Sequence, residues 1–463
     1  MNINVTTVAI VSLGCPKNQV DAELMLDKIA KAGYKLVVEP GEADVVIINT
    51  CCFIKSAKEE AIEEILEAAA RKADGINKKI ILTGCMAQRY QKELADELPE
   101  VDGIIGLGAN DDIVSSIESV MGVTSNSTAN NPPEHKHFAF DGEHNMEGER
   151  MLSTLPHYAY LRISDGCDNR CSYCAIPLFR GGYREREMSA IVEEATALVE
   201  KGVRELILVA QDVTAYKKLP KLLKNLAGID KLKWIRLLYC YPQRISDELI
   251  QTIKEEDKIL KYLDLPIQHC NDEILKSMNR QMTKSELLKL LGKLRQEIPE
   301  IVLRSTLITG FPSETPEQFE ELAEFAHEVK FEHLGAFAYS EEEGTKAAEM
   351  PDQIDENERI RRCEIIVEQQ EFRVSDWSTK LIGEEFEVVC EGADKYLTFD
   401  EQSDVENQNQ IIMYFGRTYM HAPEIDGMVY FTAGDSVLTI GEFVTVQIID
   451  VVDNNLIGVV INK

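Results

Sequence analysis

At 463 residues the chain suits about three domains of roughly 150 residues each, and its 44% hydrophobic and 28% charged content is that of a globular protein with a sizeable core. Its 49 Lys and Arg against 80 Asp and Glu leave a formal charge of −31, a surface that repels polyphosphate and steers toward basic partners. No run approaches the ~18 apolar residues of a membrane span, MNINVTTVAIVSLGC lacks the marks of a secretion signal, and the eleven cysteines then point to metal or redox chemistry in the cytoplasm rather than to disulfides.

Residues 1–121 alternate apolar, β-branched runs (TVAIVSLGC, ADVVIINTC, KKIILTGCM, VDGIIGLG) with charged stretches at helical spacing (NQVDAELMLDKIAKAG, SAKEEAIEEILEAAARKADG, AQRYQKELADELPE). That alternation predicts an open, mostly parallel α/β sheet. Residues 122–152 are rich in Asn, Ser, Pro and Glu and read as a linker, with His135, His137 and His144 as solvated loop histidines. From 153 to 379 six longer βα units follow, with strands at YAYLRIS, ELILVAQD, KWIRLLYCYP, YLDLPIQ, IVLRSTLITG and HLGAFAYS. Six units predict a partial (β/α)6 barrel with its chemistry at the C-terminal strand ends, closed off by one long helix over 355–378. Over 380–463, EEFEVVCEG, QIIMYFGR, GMVYFTA, VLTIG and EFVTVQIID predict a small antiparallel barrel of the oligonucleotide-binding kind. This tail holds 4 Lys and Arg against 15 Asp and Glu, a net −11, whereas a nucleic-acid platform is normally basic.

Two cysteine patterns stand out. In RISDGCDNRCSYCAIP, Cys167, Cys171 and Cys174 are spaced C-x3-C-x2-C directly after the first barrel strand. Three thiolates can hold three irons of a four-iron cube and leave the fourth iron open. The rival is a zinc knuckle, but zinc sites show paired C-x2-4-C motifs or a nearby histidine partner, and no histidine lies within the thirty residues after Cys174. Second, Cys15, Cys51 and Cys85 each end a strand of the N-terminal sheet, 36 and 34 residues apart. Ligands collect outside the carboxyl ends of such strands, so these thiols converge and suggest a second cluster. Cys52 adjoins Cys51, and neighbours on a strand point to opposite faces, so only one of the two faces the site. Cys240, Cys270, Cys363 and Cys390 have no partner spacing and read as core or surface thiols.

The C-x3-C-x2-C loop opening a six-unit barrel resembles the radical S-adenosylmethionine (SAM) enzymes. The whole chain resembles their methylthiotransferase family, through SLGCPKNQVDAE, NTCCFIKSAKEEAIEEI, ISDGCDNRCSYCAIPLFRG, LVAQDVTAY, RLLYCYP, YLDLPIQH, TLITGFPSET, YSEEEGT and HAPEIDG. The resemblance implies an N-terminal methylthiotransferase domain, a radical SAM core and a TRAM domain, two 4Fe-4S clusters and SAM. One cluster falls on Cys167, Cys171 and Cys174, the auxiliary one on Cys15, Cys51 and Cys85. It also implies that SAM chelates the open iron and yields a radical that takes a hydrogen atom from an aspartate β-carbon of small-subunit ribosomal protein twelve. The auxiliary cluster then presents sulfur, and a second SAM supplies the methyl group. Tyr173, Gln211, Gln268 and Thr309 fall where the family contacts SAM, with Asp212, Gly310 and Phe311 beside them. An electron donor and a sulfur source are implied as partners. The chain departs from the family at Cys52, in its short connection after LVAQDVTAY, and in RGGYREREM, which brings Glu185 and Glu187 near the barrel mouth. The alternatives are the tRNA-adenosine branch, which the −31 charge disfavours, and a non-catalytic iron–sulfur or zinc protein with a nucleic-acid-binding tail.

Overall fold

The computed structural model describes residues 5–122, 144–394 and 412–462. The N-terminal sheet comprises β1 (Thr7–Ser12), β2 (Lys35–Leu36), β3 (Val45–Thr50), β4 (Lys79–Thr83) and β5 (Gly103–Ile104), in the order β2-β1-β3-β4-β5 with every pair parallel. The central β3, VVIINT, is buried throughout, as a parallel strand covered on both faces must be. Helix α1 (Pro16–Lys31) opens on a proline, whose missing N–H costs nothing at a helix start; α2 (Lys55–Ala73) follows β3. The stretch AQRYQKELADELPE, expected as one helix, breaks at Tyr90 (φ −120°, ψ 36°). Its first half, α3 (Gly84–Arg89), starts early enough to carry Cys85 in its first turn.

The second sheet holds β6 (Tyr158–Arg162), β9 (Glu205–Val209), β10 (Trp234–Leu237), β11 (Ile259–Asp264), β12 (Val302–Thr309) and β13 (His333–Ala338), ordered β13-β12-β11-β10-β9-β6 and parallel throughout. A short hairpin, β7 (Ser164–Asp165) with β8 (Arg184–Glu185), frames the cysteine loop. Strand side chains alternate between two faces. One set, including Leu161, Leu208 and Leu237, packs outward with Ile191, Leu222 and Ile253 of the helices. The other, including Tyr160, Ile207 and Tyr262, shares a core with Val388, Phe431 and Val446 of the tail. The long helix spans Glu356–Thr379, with Asp355 capping it by accepting from Asn357 N at 3.0 Å.

The tail is a closed barrel of β14 (Glu385–Asp394), β15 (Met413–Arg417), β16 (Val429–Thr432), β18 (Asn455–Asn462) and β17 (Phe443–Val452). Two expectations are corrected here. VLTIG is not a strand: Thr439 N and Oγ1 turn onto Glu442 Oε2, and Gly441 (φ 86°) bends the chain against His157. The last strand is instead β18, reached through a tight turn in which Asp453 (φ 47°) and Asn454 (φ 62°) are both left-handed, the signature of a type I′ hairpin. The barrel also closes through one parallel pair, β16 with β18, among antiparallel ones. A buried ion-pair chain fixes this barrel to the strand starts of the central one: Glu205 binds Arg236 Nε at 2.7 Å and Arg417 Nη2 at 2.8 Å, and Arg417 Nε reaches Glu391 at 2.8 Å.

His144, expected to be solvated, is buried between Asp21 of α1 (3.0 Å) and Asp165 of the central domain (2.7 Å). Polar composition hid this, because the two carboxylates that make burial tolerable come from distant elements. His135 and His137 lie outside the described residues. Among the described residues no helix is long and apolar enough to cross a membrane.

Candidate functional site: two thiol trios at a domain junction

Cys15, Cys51 and Cys85 follow β1, β3 and β4. Neighbouring parallel strands bring these ends together, and close backbone packing finishes the arrangement. Gly14 sits at φ 88°, and a Cβ there would lie 2.7 Å from both Cβ and Sγ of Cys51. Gly84 sits at φ 92° with its Cβ direction 2.4 Å from Thr50 O. Only glycine fits either place. Asn18, wholly buried, ties the three loops: its Nδ2 donates to Leu13 O (3.1 Å) and Thr50 O (3.0 Å), and the Cys85 thiol lies 3.3 Å from its Oδ1. Cys52 instead packs in the apolar cluster with Ala61, Ile65 and Ala175, and burial pushes its thiol up to about 12.

Two buried cations stand beside this trio. Burial would raise the Cys15 thiol, but Lys17 and Arg180 outweigh it and hold it below its usual range. For Cys51 burial prevails, helped by the nearby Cys15, and the thiol is pushed up to about 11. Arg180 comes from the far end of the central cysteine loop. Its Nη2 donates to Asn18 Oδ1 (2.6 Å) and Asp21 Oδ2 (2.9 Å), and its Nη1 to Asp165 Oδ1 (3.1 Å). One guanidinium thus joins the loops of both trios.

Cys167, Cys171 and Cys174 line a cavity of about 350 Å³ with Leu178, Gly344 and Thr345. The loop is pinned at several points. Gly166 (φ 72°) passes so close to Gly182 O that a Cβ would sit 2.1 Å away. Asn279 Nδ2 donates to the carbonyls of Asn169 and Arg170, both at 3.0 Å. Ser172 N donates to Met278 O (3.1 Å), and Ser172 O accepts from Ala347 N (2.9 Å). Asn169 Nδ2 donates to Asp212 Oδ2 at 2.8 Å, and Arg244 shares that carboxylate. The Cys171 thiol lies 3.4 Å from Tyr241 OH, whose ring carries Arg280 at 4.0 Å. Burial pushes Cys174 up to about 12, with Cys171 next in effect.

Other contacts across the junction involve the same segments. Arg89, four residues beyond Cys85, binds Glu342 (3.0 Å) and Glu343 O (2.5 Å), next to the cavity-lining Gly344. Ala175 and Phe179 belong to the same apolar cluster as Cys85. Every cysteine is a free thiol. Among the described residues no three His, Cys, Asp or Glu side chains close around a single ion. A cube takes each of its thiolates on a separate iron, and the all-thiol donor sets and the cavity beside the central trio fit such a group.

The expected SAM contacts are placed differently from one another. Tyr173 packs beside Phe311 and Tyr339. Gln211 donates to Asp165 Oδ1 at 2.8 Å and leaves its buried Oε1 without a partner. Gln268 holds a left-handed φ of 73° and pairs through its backbone with Thr306 and Ile308. The Thr309 hydroxyl donates to Arg359 O (3.2 Å) and Phe337 O (3.5 Å). Glu185 and Glu187 are exposed, whereas Cys240, Cys270 and Cys390 are buried and Cys363 half-buried. Lys17, Asn18, Arg180, Tyr241 and Arg280 were not anticipated. The one available hint was a lysine and an asparagine in the first turn of a helix, directly after a strand-end cysteine.

Residues 7–106 match the uncharacterized protein family UPF0004, residues 161–326 the radical SAM superfamily and residues 382–461 the TRAM domain. The ribosomal protein uS12 methylthiotransferase RimO of Geobacter sulfurreducens is 45% identical over 98% of each chain. RimO of Acetivibrio thermocellus is 44% identical, also over 98% of each. The chain belongs to the RimO family. As a RimO-family protein it is a radical SAM methylthiotransferase, an enzyme that works with SAM and [4Fe-4S] clusters. Its fold is also similar to that of the radical SAM methyltransferase TsrM from Kitasatospora setae, at a TM-score of 0.51 and 14% identity over 73% of this chain and 76% of that one.

Proposed function

We propose that this enzyme places a methylthio group on the β-carbon of an aspartate of ribosomal protein uS12, with Cys167, Cys171 and Cys174 holding the cluster that binds SAM and Cys15, Cys51 and Cys85 holding the auxiliary one. The observation that carries this reading is Arg180, which bonds Asp165 two residues before Cys167 and Asn18 beside the N-terminal thiols. The loops of two thiol trios whose members lie 82 to 159 residues apart in the sequence therefore share one buried partner. When bound, the clusters and SAM supply the electron, the radical, the sulfur and the methyl group. The chain's own residues supply position. Asn279, Ser172 and Asn169 fix the SAM-side loop, Gly14 and Asn18 fix the auxiliary trio, and Gln211, with one acceptor unspent, is the best-placed of the expected SAM contacts.

The limits of the working units are taken as 1–121, 122–152, 153–379 and 380–463. The net charges of −31 and, for the tail, −11 suit a basic ribosomal protein better than RNA, and the enzyme is placed in the cytoplasm, drawing on a separate electron donor and sulfur source. Mass spectrometry of uS12 incubated anaerobically with the reconstituted enzyme, SAM and reductant tests the reading. The expected result is a methylthio mass increment confined to one aspartate peptide. Turnover of SAM with no increment on uS12 overturns it.

A further inference from the structure

Nine Lys and Arg side chains are buried among the described residues, and eight of them lie within 4.0 Å of a carboxylate. Lys17 is the exception. The residue is 6% exposed, and its ammonium rests 3.4 Å from the centroid of the Tyr239 ring. Nearby carboxylates are already engaged. Asp264 accepts from Tyr239 N (2.9 Å) and Arg304 Nη1 (3.0 Å), and Asp21 is shared by Arg162, Arg180 and His144. Taking an ammonium out of water is costly, and with no carboxylate in reach only the Cys15 thiol, which Lys17 helps hold below its usual range, and the Tyr239 ring face offset that cost. Buried charges of this kind cluster at functional sites.

Its position says which ligand. Lys17 lies two residues from Cys15, and its tip meets Tyr239, a left-handed residue (φ 58°) just past the end of β10. The ammonium therefore stands between the auxiliary trio and the C-terminal strand ends of the central barrel, the face on which barrel enzymes do their chemistry. We propose that Lys17 is the specificity residue for the substrate, receiving the side-chain carboxylate of the target aspartate at this junction. The inference rests on the uS12 aspartate as substrate and goes further by naming the group that recognises it. The β-carbon is bonded directly to that carboxylate carbon, so holding the acid places the reacting carbon beside the thiol trio. A neutral amide in its place leaves the buried ammonium without a carboxylate partner, and sites built to pair a buried polar group discriminate against analogues that cannot.

The test compares two peptides spanning the modified uS12 segment, one with the native aspartate and one with asparagine there. Both are titrated anaerobically by fluorescence anisotropy against holoenzyme, with iron content and the EPR signals of both clusters recorded for each protein. Wild-type enzyme should bind the aspartate peptide roughly 10- to 100-fold more tightly. Lys17→Met, which keeps the length and removes the charge, should weaken the aspartate peptide by that factor and change the asparagine peptide by about twofold or less. Lys17→Arg should restore most of the preference. An unchanged aspartate-to-asparagine ratio in Lys17→Met overturns the proposal, and so does equal affinity of wild-type enzyme for the two peptides, a comparison that needs no variant. Wild-type enzyme that binds neither peptide and adds no mass to uS12 overturns the function itself, and this inference with it.

Discussion

The two thiol trios reach similar donor sets by opposite construction. Cys167, Cys171 and Cys174 sit within eight residues on a single loop, and each is half-buried beside an open cavity. What holds them is local: the tight pass of Gly166 against Gly182 and a few side-chain clamps on backbone carbonyls. Cys15, Cys51 and Cys85 come from three strand ends, and their geometry is a property of the whole sheet, tightened by two glycines and one asparagine. A loop site can be disturbed one residue at a time with the fold intact, whereas a sheet-built site resists small changes and fails when its packing fails.

The largest expected effects separate the trios by chemistry. Cys171→Ala should abolish SAM cleavage, whereas Cys85→Ala should cleave SAM without forming methylthio product; liquid chromatography of 5′-deoxyadenosine and mass spectrometry of uS12 read the two. Methylthiolation by Cys85→Ala at the wild-type rate would break the comparison at its root. Next, Gly14→Ala drives a methyl group into Cys51, so iron content should fall by about half with SAM cleavage retained, since only one of two cubes is lost. Asn18→Ala strands the buried Thr50 carbonyl and the half-buried Leu13 carbonyl and removes one Arg180 partner, and should cost about 2–4 kcal/mol in denaturant unfolding. Asn279→Ala, in the half-open loop, should cost about 1 kcal/mol or less, and its effect should appear as slower SAM cleavage instead. If the two asparagines cost the same, the distinction between sheet-built and loop-built sites is wrong.

The smallest effect is one of pH. Burial works against a charge on His144, but Asp21 and Asp165 outweigh it and raise its pKa above the unfolded value. The histidine's stabilising contribution is therefore complete below about pH 6.5 and is lost as pH rises through the higher folded value. Thermal unfolding of wild type and His144→Gln should differ most near pH 6 and converge in alkaline buffer. A gap that widens with pH would reverse the sign.

Much of this was legible in the sequence, because both trios rest on regular features. A cysteine that closes a β-branched run is at a strand end, and equal βα spacing makes such ends neighbours. Strand alternation lets only one of Cys51 and Cys52 face the site, and the Asn-Thr-Cys match to the family selects Cys51; in the structure Cys51 lies against Gly14. What stayed hidden is tertiary. Nothing local in the sequence singles out Arg180, whose partners lie 162, 159 and 15 residues away. His144 was hidden by the polar stretch around it, and VLTIG looked like a strand because β-branched composition says nothing of a side chain that bends the chain onto itself. The Asp453-Asn454 pair before β18 is a turn signal legible in the sequence, since both residues tolerate a left-handed backbone.

The placement of Arg180 constrains how this protein can be rearranged. Because its hydrogen-bond partners belong to two separately encoded domains, grafting the N-terminal unit of one relative onto the catalytic unit of another succeeds only if the donor carries the equivalents of Asn18 and Asp21 in register. Chimeras that ignore this should mature with an ill-formed auxiliary site even when each half folds, so these domains are expected to be inherited as a matched set.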